Sequence, residues 1–133
     1  MNILIIDDDP AMTDLLKIQI QSTEFKVDVA YSGEEGIKTV QAIKPDIIIL
    51  DLLMPDMDGL ETCRKIRKFS RAPILILSAL DEPKTIADAL NEGADDYLVK
   101  PVSSTILIAH LQKLSRRIRS NNRSMFPVIF KNV

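Results

Sequence analysis

Five acidic, hydroxyl or cationic residues stand where aliphatic runs stop, and their types are those that handle a metal ion or an anion. The chain opens MNILIIDDDP, so Ile3 to Ile6 run straight into Asp7, Asp8 and Asp9. Adjacent carboxylates repel one another and resist leaving water, so something must offset the cost of placing them there. Asp9 followed by Pro10 is accounted for as a helix N-cap with proline at the first helical position. Asp7 and Asp8 are not. Asp51 ends the run IIIL, Ser78 ends ILIL, and Lys100, followed by Pro101, ends YLV.

Solid apolar runs suit strands covered on both faces, which means a parallel sheet. They lie at 3–6, 47–50 and 74–77, with a shorter one at 97–99 and an alternating Val27-Asp28-Val29. Helical stretches fall between them. Pro10 to about Gln21 follows the Asp9 cap, and Ser32 to Ile43 opens with the capping box Ser32-Gly33-Glu34-Glu35. Further helices are expected from about Leu60 to Lys68, from Lys84 to Asn91 with Gly93 closing it, and from Ser104 to about Ile118.

Five strands alternating with five helices predict an α/β, flavodoxin-like doubly wound domain, because right-handed crossovers put helices on both faces. In such sheets the ligand site lies beyond the carboxyl ends of the strands, where the strand order reverses. With the order 2-1-3-4-5, the first and third strands are neighbours about 4.8 Å apart, and Asp7, Asp8 and Asp51 converge. At an effective dielectric near 20, two unit charges about 4 Å apart repel by roughly 4 kcal/mol. Three such groups call for a cation. Oxygen ligands without histidine or cysteine select a hard ion, and a shallow site suits Mg²⁺ better than Ca²⁺. An anion is the natural third party, phosphate above all, with Ser78 as hydrogen-bond donor and Lys100 as a point charge. An aspartate in such a site can itself be the nucleophile.

The segments ILIIDDDP, DIIILDLLMPDMDG, PILILSA and GADDYLVKP, in this order and spacing, resemble the receiver domain of two-component response regulators. The likeness covers residues 1 to about 118. It implies that Asp51 accepts a phosphoryl group from a sensor histidine kinase, and that Asp7, Asp8, Asp51 and the backbone carbonyl of Leu53 hold Mg²⁺. It further implies that Ser78 senses the phosphoryl group, Lys100 pairs with it, Tyr97 turns inward on activation, and Pro101 follows a cis peptide bond. Such a domain is a switch that catalyses its own phosphorylation and dephosphorylation rather than a classical enzyme. Leu53 and Leu80 stand where the family tunes hydrolysis of the acyl phosphate, and neither can orient water, so slow dephosphorylation is expected. The sole histidine, His110, is expected at the surface and not as a donor.

GADDYLVKP leading into a helix that ends SRRIRS is most similar to the winged-helix, OmpR-type transcription factors. In that group activated receivers pair through the fourth helix, fifth strand and fifth helix, using acids at the positions of Asp95 and Asp96. Here Asp88, Ile106, His110 and Val102 depart from the usual pattern, so a homodimer would lack the usual salt bridges. Residues 119–133 read either as a polar linker and then a strand, Val128-Ile129-Phe130, opening a truncated output domain through which DNA would be bound, or as the short extension of a stand-alone receiver.

Composition sets the outer bounds. At 133 residues, 46% hydrophobic and 27% charged, the chain has the size of one domain that closes its own core. No apolar run approaches the roughly 20 residues that span a bilayer, and no basic segment leads into an apolar one, so a cytoplasmic location and no membrane partner are expected. Cys63, the only cysteine, is expected to be an inert thiol. Residues 113–133 contain six basic and no acidic residues, read either as helix-end cations followed by a solvated linker or as a nucleic-acid contact. A dehalogenase-like phosphatase needs an acid two residues after its nucleophile, and that position is Leu53. A flavin-binding flavodoxin would want aromatics around the ring and a hydroxyl-rich loop after the first strand. No P-loop or G-x-G-x-x-G pattern supports nucleotide binding.

Overall fold

A computed structural model of the chain describes residues 1–22 and 24–131, with side chains described up to Asn121. The elements alternate along the chain: β1 (Asn2–Ile6), α1 (Pro10–Ile20), β2 (Lys26–Ala30), α2 (Gly33–Ile43), β3 (Ile47–Leu50), α3 (Gly59–Ile66), β4 (Ile74–Ser78), α4 (Pro83–Asn91), β5 (Asp96–Val99) and α5 (Ser104–Lys131). The sheet is wholly parallel in the order β2-β1-β3-β4-β5.

The unbroken aliphatic runs explain the layering. Alternate side chains of a strand point to opposite faces, so β1 divides Leu4 and Ile6 from Ile3 and Ile5. The first pair joins Val40, Cys63, Ile66 and Ala89 of α2, α3 and α4 in one core. The second pair joins Leu16 and Ile20 of α1 and Leu107, Leu111 and Leu114 of α5 in the other. Ile3, Leu4, Ile5 and Ile6 are wholly buried, each worth roughly 1.5–3 kcal/mol of transfer free energy. A single polar residue at one of these positions would open one of the two cores.

Helix starts follow local chemistry. Asp9 caps α1 by accepting from the Ala11 and Met12 amides. Ser32 caps α2 by accepting from the Glu35 amide at 3.1 Å, while the Glu35 carboxylate reaches back to the Tyr31 amide instead of that of Ser32. Asp58, which the sequence did not single out, caps α3 through the Glu61 amide at 2.9 Å.

The end of the chain departs from expectation. α5 does not stop near Ile118 but runs to Lys131, so a helix replaces both the linker from residue 119 and the strand expected at 128–130. A lone extended segment beyond the sheet has no neighbour to take its backbone N–H and C=O groups, whereas a helix pairs them within itself. Residues 132–133 of that expected segment lie outside the described residues.

Candidate functional site

The register of β1 with β3 pairs Ile6 with Leu50, so the next residues, Asp7 and Asp51, emerge side by side. The Asp51 amide donates to the Ile6 carbonyl at 3.0 Å and locks that relation. Asp7, Asp8 and Asp51 each offer a carboxylate oxygen within 4.8 Å of the others. Asp7 and Asp51 are only 3% and 8% exposed, and Asp8 is exposed.

Lys100 closes the cluster. Its Nζ donates to Asp7 Oδ2 at 3.2 Å and to Asp51 Oδ2 at 3.3 Å. Its own amide bonds the Ser78 carbonyl at 2.8 Å, which anchors it to β4, and the following Lys100–Pro101 bond is cis, as the resemblance implied. Burial pushes the Asp7 carboxyl above its ordinary 3.8, against the opposing pull of the Asp9 amide and Lys100. Burial pulls the Lys100 ammonium down, but Asp51 and Asp7 together outweigh it and hold the pKa above 10.5. One lysine thus balances part of an excess of negative charge, and oxygen-only donors so arranged fit a hard divalent cation.

The remaining expected residues surround this cluster. The Leu53 amide donates to Asp51 Oδ1 at 3.1 Å, and the Leu53 side chain is half exposed. Ser78 is fully buried, its Oγ accepting from the Leu80 amide at 3.3 Å. The Tyr97 hydroxyl donates to the Leu80 carbonyl at 2.6 Å, which ties the partly buried ring to the loop that follows Ser78. Burial pushes the Tyr97 phenol above its usual value.

One site residue went unnoticed in the sequence. A Cβ on Gly59 would lie 2.4 Å from the Asp51 carbonyl oxygen and 2.5 Å from Leu52 Cα, both backbone atoms. Gly59 therefore lets the start of α3 touch the end of β3, tightened by its amide bond to Leu52 O at 3.0 Å. The only local signal was an Asp-Gly pair at the start of a helix.

The family model for the response regulator receiver domain matches residues 3–112. The chain belongs to that family. The transcriptional regulatory protein AfsQ1 of Streptomyces coelicolor is 38% identical over 116 residues, which are 87% of this chain and 52% of AfsQ1. The DNA-binding response regulator MtrA of Mycolicibacterium smegmatis is 32% identical over 126 residues, 95% of this chain and 55% of MtrA. This receiver chain therefore spans about half the length of these curated relatives. Among solved structures, a two-component response regulator from Clostridium difficile superposes with a TM-score of 0.86 at 37% identity, covering 89% of this chain and 98% of that one.

The receiver's α4–β5–α5 face differs from the sequence expectation in one respect. His110, expected at the surface, is half-buried because its imidazole Nδ1 meets Asp96 across β5 and α5. Asp95 is shared by Arg67 at 2.8 Å and Arg117 at 2.7 Å, and it also accepts from the Ile74 amide. Both acids that the resemblance assigned to contacts between receivers are thus engaged within the chain. Cys63 is buried, and burial raises its thiol pKa, which suits the inert role expected of it. Among the described residues, no helix is long and apolar enough to cross a membrane.

Proposed function

We propose that this receiver is a phosphorylation-operated switch in which Asp51 takes a phosphoryl group from the phosphohistidine of a sensor histidine kinase. The observation that carries the reading is the convergence of Asp7, Asp8 and Asp51 within 4.8 Å, with Lys100 bridging the two buried carboxylates. An Asp51 carboxylate oxygen attacks phosphorus as the P–N bond breaks, and the donor imidazole leaves with the electron pair. The product is an acyl phosphate. Asp7, Asp8, Asp51 and the Leu53 carbonyl would hold Mg²⁺, which supplies screening of the charge on the phosphoryl oxygens.

Lys100 pairs with the phosphoryl group that replaces a carboxylate oxygen charge beside it. Ser78 donates its hydroxyl to the same group, and the bond from the Leu80 amide to Ser78 Oγ links that motion to the loop held by Tyr97. The rearranged surface is the α4–β5–α5 face, which serves a second copy of the receiver or an output domain that binds DNA. The whole acts in the cytoplasm.

Intact-mass measurement after incubation with acetyl phosphate tests this directly. The expected result is a gain of one phosphoryl group that requires Mg²⁺ and is absent from Asp51→Asn. Folded protein that binds Mg²⁺ yet gains no phosphoryl group, or gains it equally in Asp51→Asn, would overturn the assignment.

A further inference from the structure

The fold sorts its charge by end. Because all strands are parallel, each helix starts beside the acid cluster and returns to the amino-terminal end of the sheet. Acids at that far end are engaged within the chain: Glu24 with Arg119, Glu92 with Arg64, Asp95 with Arg67 and Arg117, and Asp46 with the Asn2 amide. Exposed cations there are left over. Lys17 in the last turn of α1, Lys26 at the start of β2, Lys44 just after α2, Lys68 and Arg71 between α3 and β4, and Arg116 on α5 form no ion pair among the described residues. A cation at a helix end complements the helix dipole, which accounts for Lys17 but not for Lys26 or Arg71, which lie off the helices.

Lys44 and Arg71 also line a cleft of about 540 Å³ whose walls include Phe69 and Ile118. Ile118 belongs to α5, so α5 leaves the fold beside this basic end. We propose that this amino-terminal face binds the phosphate backbone of duplex DNA without sequence preference, adding affinity beside whatever reads the bases. The proposal rests on the reading of the chain as part of a DNA-binding regulator. Strands of about five residues at roughly 3.3 Å each separate the two ends by more than 15 Å, beyond the Debye length of about 8 Å at physiological salt. The acid cluster therefore does not cancel the attraction.

Fluorescence anisotropy with a labelled duplex of arbitrary sequence and the unphosphorylated 133-residue chain tests it. Engaging about three phosphates predicts a slope of log K against log salt near −2.7, or about 40-fold weaker binding at 200 mM than at 50 mM salt. Lys44→Gln/Lys68→Gln/Arg71→Gln should weaken binding at 50 mM salt by about tenfold or more and flatten the slope. Lys38→Gln/Lys84→Gln, which removes cations paired with Glu34 and Asp88, should leave it unchanged. Matching urea midpoints establish that the variants are folded. No binding at 50 mM salt, equal binding by the triple variant, or tighter binding to phosphatidylserine vesicles than to duplex would overturn the proposal. None of these outcomes touches phosphorylation of Asp51, which the mass measurement decides separately.

Discussion

Replacing Lys100 by methionine keeps the aliphatic stem and removes the only cation within 3.3 Å of Asp7 and Asp51 among the described residues. At an effective dielectric near 20, each of its two contacts is a gross attraction of about 5 kcal/mol, much of it offset by desolvation of the ammonium. Breaking a buried pair by removing one partner costs about 3–5 kcal/mol. With 19% of the Lys100 side chain exposed, the lower end applies, so about 3 kcal/mol should be lost at pH 7 without metal. At a urea m-value near 2 kcal/mol/M, the unfolding midpoint should fall by about 1.5 M.

The pH dependence adds a second check. The Lys100 pKa is raised on folding, so its contribution is complete below 10.5 and fades only as pH climbs through the folded value. On the acid side its partner disappears first. Asp7 titrates above 3.8 in the folded state, so protonating it as pH falls through that raised value removes the charge that Lys100 balances. The difference between wild type and Lys100→Met should therefore shrink on acidification, and Mg²⁺ should raise the midpoint of the variant more than that of wild type. A loss below about 0.5 kcal/mol at pH 7, the range of an unremarkable surface substitution, or a loss equal at pH 4 and 7 would refute the reasoning.

Gly59→Ala should destabilise the domain by about 1–3 kcal/mol through overpacking and slow phosphorylation by acetyl phosphate, because the backbone carrying Asp51 must shift to admit the new methyl group; unchanged urea midpoint and rate would exclude that contact. Ser32→Ala removes the acceptor for the Glu35 amide and should cost about 1 kcal/mol, seen in calorimetry as a melting temperature lower by about 4 °C. With Leu53 and Leu80 unable to orient water, the phosphorylated protein should hold its phosphoryl group for minutes or longer in a time-resolved mass assay; decay within seconds would disprove that reading. Exchanging Leu53 for glutamine should shorten the lifetime if side-chain polarity at that position is what sets it.

Much of this protein was legible because the relevant physics is short-range. Unbroken aliphatic runs demand cover on both faces, and Asp9-Pro10 and Ser32 with Glu35 start helices from within four residues, so strands and helix starts could be read locally. The polar residues that end each run were visible for the same reason. Asp58 escaped notice as a cap, although its acceptor role is equally local.

What the sequence by itself determined was a parallel α/β sheet with Asp7, Asp8, Asp51, Ser78 and Lys100 at one end of it. Only the tertiary structure decided the partners. Lys100 and Asp7 are 93 residues apart and meet because the strand order leaves only β3 and β4 between β1 and β5, whose carboxyl ends carry them at the same end of the sheet. Asp95 with Arg67 and Arg117, and Asp96 with His110, are chosen by helix packing that no local pattern encodes. The close approach at Gly59 belongs to the same class. Hydrophobic periodicity states which face a residue turns inward, whereas the identity of the group it meets there depends on how distant segments dock.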